Sequence, residues 1–327
     1  MIEERLSTFA GLPVHAFDGD PEGGPLPAAG EVAWGIYHHI HDNGVWGAEV
    51  PENFDRFLRE VDTARVTHLV IGFWGFDCGE FDPVERLVAA ADRLPRLRAL
   101  FLGDIRDWDL HLSWIRHTDV SPLFAAFPEL EHFEVRGSDG LRLAPLDGRA
   151  GARLRTLRFE AVMLPAEIVR AVTESELPGL RHLDLWLGGG DRPDWLASLD
   201  DLAPILAGER LPALRHLGLE NAGAHDRIAE AVADAPVVER LESLSLALGT
   251  LTDAGAEALL AGRPLGHLAD LDLHHHYLTE EMGARVREAL PGVRVNLDDP
   301  QGFPEWLKPQ WSRLGLDMSG SYISVAE

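Results

Sequence analysis

A short pattern of apolar positions recurs along the chain. An apolar residue is followed by two variable residues, a second apolar residue, one variable residue and a third apolar residue, as at Leu180, Leu183 and Leu185. Side chains alternate between the two sides of a β-strand, so each copy predicts a short strand with one buried side. The copies begin at Val66, Leu97, Leu130, Leu154, Leu180, Leu214, Leu241 and Leu268.

Amphipathic helical patterns follow these strands. Val84, Leu87, Val88 and Ala91 recur at the spacing that places residues on one side of a helix. Comparable stripes start at Val120, Ile168, Leu202, Ile228 and Met282. Helix N-caps are predicted at Thr252 and Thr279. A regular alternation of strand and helix predicts a parallel sheet whose crossovers are right-handed.

The spacing of the copies indicates which type of repeat they form. Their first residues lie 24 to 34 positions apart, and a leucine-rich repeat is about 20 to 29 residues long, so the longer spacings require insertions. We therefore predict an α/β leucine-rich-repeat solenoid of horseshoe form. Its parallel sheet is expected on the concave face and its helices on the convex face, with each repeat burying its leucines against its neighbours.

The two ends of the chain depart from the repeat, as terminal caps do. Residues 1–65 are predicted to form an N-terminal cap that contains a degenerate first repeat, with a strand at Trp34 and a helix at Phe54 and Phe57. Within this cap, the Gly- and Pro-rich residues 1–30 are expected to form an irregular cover. Residues 66–297 are assigned to a solenoid of about eight repeats, and residues 298–327 to a capping tail that folds back over the exposed end.

The repeats resemble the ribonuclease-inhibitor type of leucine-rich repeat. GTLTDAGAEALLAG (249–262) is the best match, with Leu251, Gly255 and Leu259 at the expected places, although the asparagine usual after the strand is largely missing. The whole chain is also similar to an uncharacterised, mostly actinobacterial family of leucine-rich-repeat proteins. That resemblance comes from FAGLPVHAFDG (9–19), AADRLPRLRALFLGD (90–104), LAPILAGERLPALRHLGL (202–219) and LDLHHHYL (271–278). It supports the fold and implies no activity or catalytic residue.

Charge restricts the kinds of partner. Acidic residues number 54 and basic residues 29, which gives a formal net charge of -25. Nucleic acids and anionic membrane surfaces draw their affinity from Lys and Arg, so neither is expected to bind. A single cysteine, Cys78, excludes an intramolecular disulfide framework. Without a signal pattern or a long apolar stretch, we expect a cytoplasmic protein whose partner is another protein with basic patches.

The concave face is the first candidate binding surface. In each repeat the residues two, four and six positions after the first apolar residue are expected to point from the strand into this face. Across the middle repeats these positions bring charged residues and one aromatic residue together, a composition found in protein interfaces. The predicted cluster contains Glu134, Arg136, Arg158, Glu160, Asp184, Trp186 and Glu220. The alternative is an inner face that is polar only because it is solvated.

Insertions between strand and helix are the second candidate. They comprise residues 72–82, 103–119 and 187–198 and are expected to project from one edge of the horseshoe. Loops of this length are often functional. Their tryptophans, or those beside them, are predicted to form an aromatic rim: Trp74, Trp108, Trp114, Trp186 and Trp195. The alternative is that these rings pack the loops onto the solenoid.

A metal site is the third candidate. Neighbouring strands lie about 4.8 Å apart, so His182, Asp184 and His216 are close enough in the predicted sheet to bind one ion, with ligand types suited to zinc or manganese. Phosphate-binding GxxxxGK[ST] and nucleophile-elbow GxSxG motifs are missing from the sequence. We therefore predict a non-enzymatic protein-interaction module without a cofactor. The alternative is an enzyme or accessory subunit that uses the His/Asp/Glu site.

Overall fold

Strands and short helices alternate along the chain in the computed structural model, which describes residues 4–18, 24–38, 50–75, 78, 81–189, 197–302 and 323–325. These residues fall into two units. The first unit carries strands β1 to β7 and the second carries β8, apart from its first residue, to β12. Within each unit the strands follow one another in chain order, and the fold is an α/β leucine-rich-repeat solenoid.

In the first unit the strands are β1 (Thr8–Phe9), β2 (Leu12–Phe17), β3 (Ala33–Ile36), β4 (His68–Ile71), β5 (Ala99–Leu102), β6 (His132–Arg136) and β7 (Thr156–Glu160). Its helices are α1 (Val50–Glu60), α2 (Pro83–Ala89), α3 (Ser121–Ala126) and nearly all of α4 (Ala166–Glu174). All strand pairs from β2 to β7 are parallel. Parallel strands need a long crossover, which the helices and turns between them supply.

In the second unit the strands are nearly all of β8 (His182–Gly188), and β9 (His216–Ala222), β10 (Ser243–Ser245), β11 (Asp270–Asp272) and β12 (Arg294–Asn296). Its helices are α5 (Leu199–Ala207), α6 (His225–Ala233), α7 (Asp253–Ala261) and α8 (Glu280–Ala289). The pairs from β9 to β12 are parallel. Both predicted N-caps of this unit are confirmed. Thr252 accepts a hydrogen bond from the Ala254 N–H, and Thr279 accepts one from the Met282 N–H.

The recurring apolar positions form the core. In β5, β7 and β9 the middle apolar residues, Leu100, Leu157 and Leu217, are fully buried. The helices add the apolar stripes that the sequence predicts, for example Val84 and Leu87 of α2. Burying one such side chain contributes about 1.5–3 kcal/mol, so repetition of the same small contribution stabilises each unit.

The N-terminal segment corrects one prediction. Residues 1–30 were expected to form an irregular cover, but β1 and β2 form an antiparallel hairpin, and β2 then pairs in parallel with β3. The hairpin turns at Ala10 and Gly11, both with positive φ, a geometry in which short two-residue loops join antiparallel strands. This segment is therefore part of the sheet of the first unit. The domain boundaries given above remain predictions.

Candidate functional site

The register of the sheet brings the predicted polar positions side by side in each unit. In the first unit Glu134 pairs with Arg158, and Arg136 pairs with Glu160. In the second unit Ser243 pairs with His216. We call the set Glu134, Arg136, Arg158 and Glu160 the first polar face. We call the set His182, Asp184, Trp186, His216, Glu220, Ser243 and Ser245 the second polar face.

Ion pairs organise the first polar face. Arg136 Nε donates to Glu160 Oε2 at 2.6 Å, and Arg158 Nε lies 3.0 Å from Glu160 Oε1. Arg136 Nη1 also lies 3.5 Å from Asp104 Oδ1. The side chains of Arg136, Glu160 and Asp104 are buried. Buried charges of this kind are tolerated when they are paired and hydrogen-bonded, so this part of the face is a structural network, while Glu134 and Arg158 stay partly exposed.

The start of the chain covers this network. Tyr37 Oη donates to Asp104 Oδ2 at 2.5 Å, and the Leu6 backbone N–H donates to the same oxygen at 3.1 Å. The Arg5 guanidinium lies 4.2 Å from the centre of the Tyr37 ring. Phe9 stacks on Phe101 with the ring centres 6.0 Å apart. Residues 5–9 therefore occupy the sheet face at β4 to β6, and burial raises the pKa of the Asp104 carboxyl.

Sequence reasoning missed Asp104 and Tyr37. Asp104 lies one position beyond the +6 position of its repeat, and Tyr37 lies in the degenerate first repeat, where these positions were not assigned. The available signal was weak: a charged residue lies two positions after the strand β5, and a tyrosine directly follows β3. Nothing local indicates that these two side chains share a hydrogen bond across 67 positions of sequence.

On the second polar face, an indole and a hydroxyl donate hydrogen bonds to the Glu220 carboxylate. Trp186 Nε1 donates to Glu220 Oε2 at 2.7 Å, and the Ser245 hydroxyl donates to Glu220 Oε1. Trp186 and Glu220 are both buried. The indole is thus one of the groups that stabilise the carboxylate. This corrects the prediction that Trp186 belongs to an exposed aromatic rim.

The predicted metal ligands come together on the same face. His216 Nε2 lies 2.7 Å from Asp184 Oδ1, and His216 Nδ1 lies 2.6 Å from Ser243 Oγ. His182 lies two residues before Asp184 on β8. The Asp184 carboxylate needs Gly218 on the next strand, because a Cβ at that position would lie 2.1 Å from Asp184 Oδ1.

Only part of the predicted aromatic rim is exposed. Trp108 and Trp114 are 62% and 65% exposed. Trp74 is 4% exposed and contacts the His117 ring edge-on, with the ring centres 5.2 Å apart. Trp74 therefore packs its loop onto the unit, as the alternative reading expected, and it does not contribute to a rim. Trp195 lies outside the described residues.

The loop that carries Trp108 and Trp114 is anchored by its apolar residues. Leu110, Leu112 and Ile115 are buried. Arg106 donates to both carboxylate oxygens of Asp109, at 2.7 and 2.9 Å, and its guanidinium lies 4.8 Å from the centre of the Trp108 ring. We call residues 103–119 the edge loop. It presents two exposed indoles on a segment whose aliphatic residues are in the core.

Comparison with known proteins finds similar solved structures. No family model matches the chain, and no curated protein matches it. Among solved structures, the chain is similar to a protein of Bacteroides fragilis, with 26% identity over 76% of this chain and 70% of that chain and a TM-score of 0.70. It is also similar to an internalin of Listeria monocytogenes, with 15% identity over 73% of this chain and 56% of that chain and a TM-score of 0.39.

Among the helices that the structure describes, none has the length and apolar character needed to cross a bilayer.

Proposed function

We propose that this protein is a non-enzymatic interaction module that binds a partner protein through the edge loop and the exposed part of the first polar face. The observation that carries the proposal is the exposure of Trp108 and Trp114 on one anchored loop. Exposed tryptophans on an ordered scaffold are characteristic of interface anchors, because an indole buries a large area and loses little conformational entropy. Glu134 and Arg158, both partly exposed, supply charged groups in the same unit.

The charge of the chain indicates the kind of partner. A formal net charge of -25 attracts a basic protein surface over distances comparable to the Debye length. Such attraction raises the association rate more than the final affinity. The proposal therefore assigns a basic partner protein and neither nucleic acid nor a membrane, and it keeps the cytoplasmic location expected from the sequence.

The test compares exposed residues of the same unit. Trp108→Ala/Trp114→Ala is used as bait in affinity capture from the native cell, beside the wild type and Val88→Ala, whose side chain is also exposed. We expect the double variant to lose a partner that the wild type and Val88→Ala both retain. With that partner purified, the dissociation constant should rise at least about 30-fold, since an interface anchor contributes about 2 kcal/mol or more. An unchanged set of partners would contradict the proposal.

A second candidate function is favoured by the position of Asp184 and His216. Asp184 Oδ1 lies 2.7 Å from His216 Nε2, and Ser243 Oγ lies 2.6 Å from His216 Nδ1. His182 is on the same strand as Asp184. Metal-binding histidines commonly use their second nitrogen in such an orienting hydrogen bond. The ligand set suits zinc or manganese, and a bound ion would supply Lewis-acid chemistry to an enzyme or accessory subunit.

Metal analysis tests this second function. The protein is dialysed against zinc or manganese and then against buffer, and bound metal is measured by elemental analysis. The metal hypothesis predicts about one ion per chain in the wild type and its loss in His216→Ala and Asp184→Asn. His132→Ala is the matched control, because His132 also contacts a carboxylate, that of Glu134, on a strand of the first polar face. Less than stoichiometric metal in the wild type would remove this candidate.

A further inference from the structure

The last described residues of the chain, Ile323–Val325, belong to the second unit and use their backbone groups to form hydrogen bonds with Asn221 and Leu248. Asn221 Nδ2 donates to the Val325 carbonyl oxygen at 3.0 Å, and the Val325 N–H donates to Asn221 Oδ1 at 3.0 Å. The Ser324 N–H donates to the Leu248 carbonyl oxygen at 2.8 Å. All three bonds use the backbone of residues 323–325, so they do not depend on which side chains this segment carries.

Asn221 is fixed in position to make these bonds. Asn221 is fully buried, and its backbone φ is 50°. This is a left-handed conformation that asparagine tolerates better than most residues. A side-chain amide offers one acceptor and two donors. Here it pairs with one N–H and one C=O of a single residue, which is how an extended strand pairs with a neighbour. A buried amide deprived of such partners is costly, so this geometry favours an occupied state.

The Ile323 side chain lies beside Gly189. Ile323 is buried, and a Cβ added at Gly189 would lie 3.6 Å from Ile323 Cδ1 and 3.2 Å from Gly223 Cα. The buried isoleucine is therefore near two glycines whose backbones approach each other closely. We call the surface formed by Gly189, Asn221, Gly223 and Leu248 the tail groove. It combines backbone recognition with burial of one branched apolar side chain.

We propose that the tail groove is a recognition site for an extended peptide segment of a partner protein, and that the chain's own Ile323–Val325 occupies it in cis. The peptide carries a branched apolar residue two positions before the residue that pairs with Asn221. Main-chain bonds supply affinity and a side-chain pocket supplies selectivity, as when a peptide adds a strand to another protein. The tail groove lies in the second unit and the edge loop in the first, so this site is separate from the function proposed above.

Occupation in cis has a measurable consequence. A segment tethered to its own binding site has an effective concentration in the millimolar range when its linker spans the distance. A free peptide at micromolar concentration therefore competes poorly with the chain's own tail. Weakening the tail within the intact chain should open the tail groove to the same sequence supplied as a separate peptide.

The experiment uses the full chain and a fluorescent peptide of residues 319–327. Ile323→Asp removes the apolar side chain, and Val325→Pro removes the N–H that pairs with Asn221. Together they are designed to release the tail, and we call this double variant the opened chain. Fluorescence anisotropy should show this variant binding the peptide at least about tenfold more tightly than the wild type does. Asn221→Asp is then added to the double variant, where it replaces the donor Nδ2 by an oxygen and tolerates the same backbone conformation. The triple variant should bind the peptide about tenfold less tightly than the double variant. Trp108→Ala should leave it unchanged.

A change in the peptide alone provides a second test that leaves the protein fold untouched. A peptide with an N-methyl group on the Val325 nitrogen keeps every side chain and loses one donor, so it should bind the opened chain about tenfold less tightly. Equal binding of both peptides, or equal binding by wild type and opened chain, would overturn the proposal. A wild-type dimer that dissociates on Asn221→Asp would also overturn it, because the tail groove would then hold the tail of a second copy.

Discussion

The first and second polar faces are built from the same positions of the repeat but are held together by different bonds. On the first face, two arginines share the Glu160 carboxylate and one of them also approaches Asp104. On the second face, an indole N–H and a hydroxyl donate to Glu220. The contrast shows that one strand pattern accommodates carboxylates paired with arginines on one face and a carboxylate bonded by an indole and a hydroxyl on the other.

The difference extends to how each unit uses an end of the chain. In the first unit the Leu6 N–H donates to Asp104, a residue of the ion-pair network. In the second unit the C-terminal segment bonds to Asn221, at the end of a strand. The N-terminal residues therefore complete a buried charge network, whereas the C-terminal residues fill a groove of backbone groups and glycines. This is why we treat the first as structure and the second as a binding site.

The largest effect is expected from breaking the network of the first face. Arg136→Met keeps much of the side-chain volume but leaves Asp104 and Glu160 buried with less positive charge nearby. Removing one partner of a buried pair costs about 3–5 kcal/mol, and we expect a loss of that size in the free energy of unfolding, measured by urea denaturation. Arg116→Ala is the control: its pair with Asp139 is exposed, so its loss should stay under about 1 kcal/mol. Equal losses would show that the network is not the stabilising element.

Acid should destabilise both units, through buried histidines that include His117 in the first unit and His225 in the second. His117 Nε2 donates to the Arg136 carbonyl oxygen and His225 Nε2 to that of Leu219, both at 2.8 Å. Burial lowers the pKa of each imidazole to about 4, against about 6.5 in an unfolded chain. Between these values the unfolded chain binds protons that the folded chain does not, so stability falls as the pH falls from 6.5 towards 4.

The measurement is the free energy of unfolding at pH 7 and pH 5. Each histidine should account for a loss of about 2 kcal/mol over this interval. His117→Gln and His225→Gln keep a side-chain N–H donor and do not titrate, so each should reduce the pH dependence by that amount, and the double variant by about twice as much. If the double variant kept the wild-type pH dependence, the buried neutral histidines would not be its cause.

Alternation of side chains along a strand was enough to predict the polar faces. The pairing of Glu134 with Arg158 and of Arg136 with Glu160 follows from counting positions within the repeat. Parallel strands in the same register place equivalent positions of successive repeats side by side. Asp184 and His216 lie at different positions of their copies, four and two residues after the first leucine, so their contact is diagonal and does not follow from pairing equal positions.

Contacts made by irregular segments could not be predicted in this way. Trp74 and Trp108 both lie in loops after strands, and the local sequence does not distinguish them, yet one is buried against His117 and the other is exposed. Leu6 reaches Asp104 across 98 positions. Such contacts depend on how each loop packs on its unit, which no periodic pattern records.

The smallest effect, on the second polar face, tests whether that face depends on charge or on hydrogen-bond geometry. Glu220→Gln keeps one side-chain oxygen as an acceptor for Trp186 or Ser245 and turns the other acceptor into a donor. The indole then donates to a neutral oxygen in place of a charged one, and the Ser245 hydroxyl has to rotate and accept from the new amide donor. Weakening of the two hydrogen bonds costs about 1–2 kcal/mol. Urea denaturation should show this loss, clearly below that of Arg136→Met. A loss as large as that of Arg136→Met would mean that the Glu220 charge itself is required, and the two faces would then be stabilised in the same way.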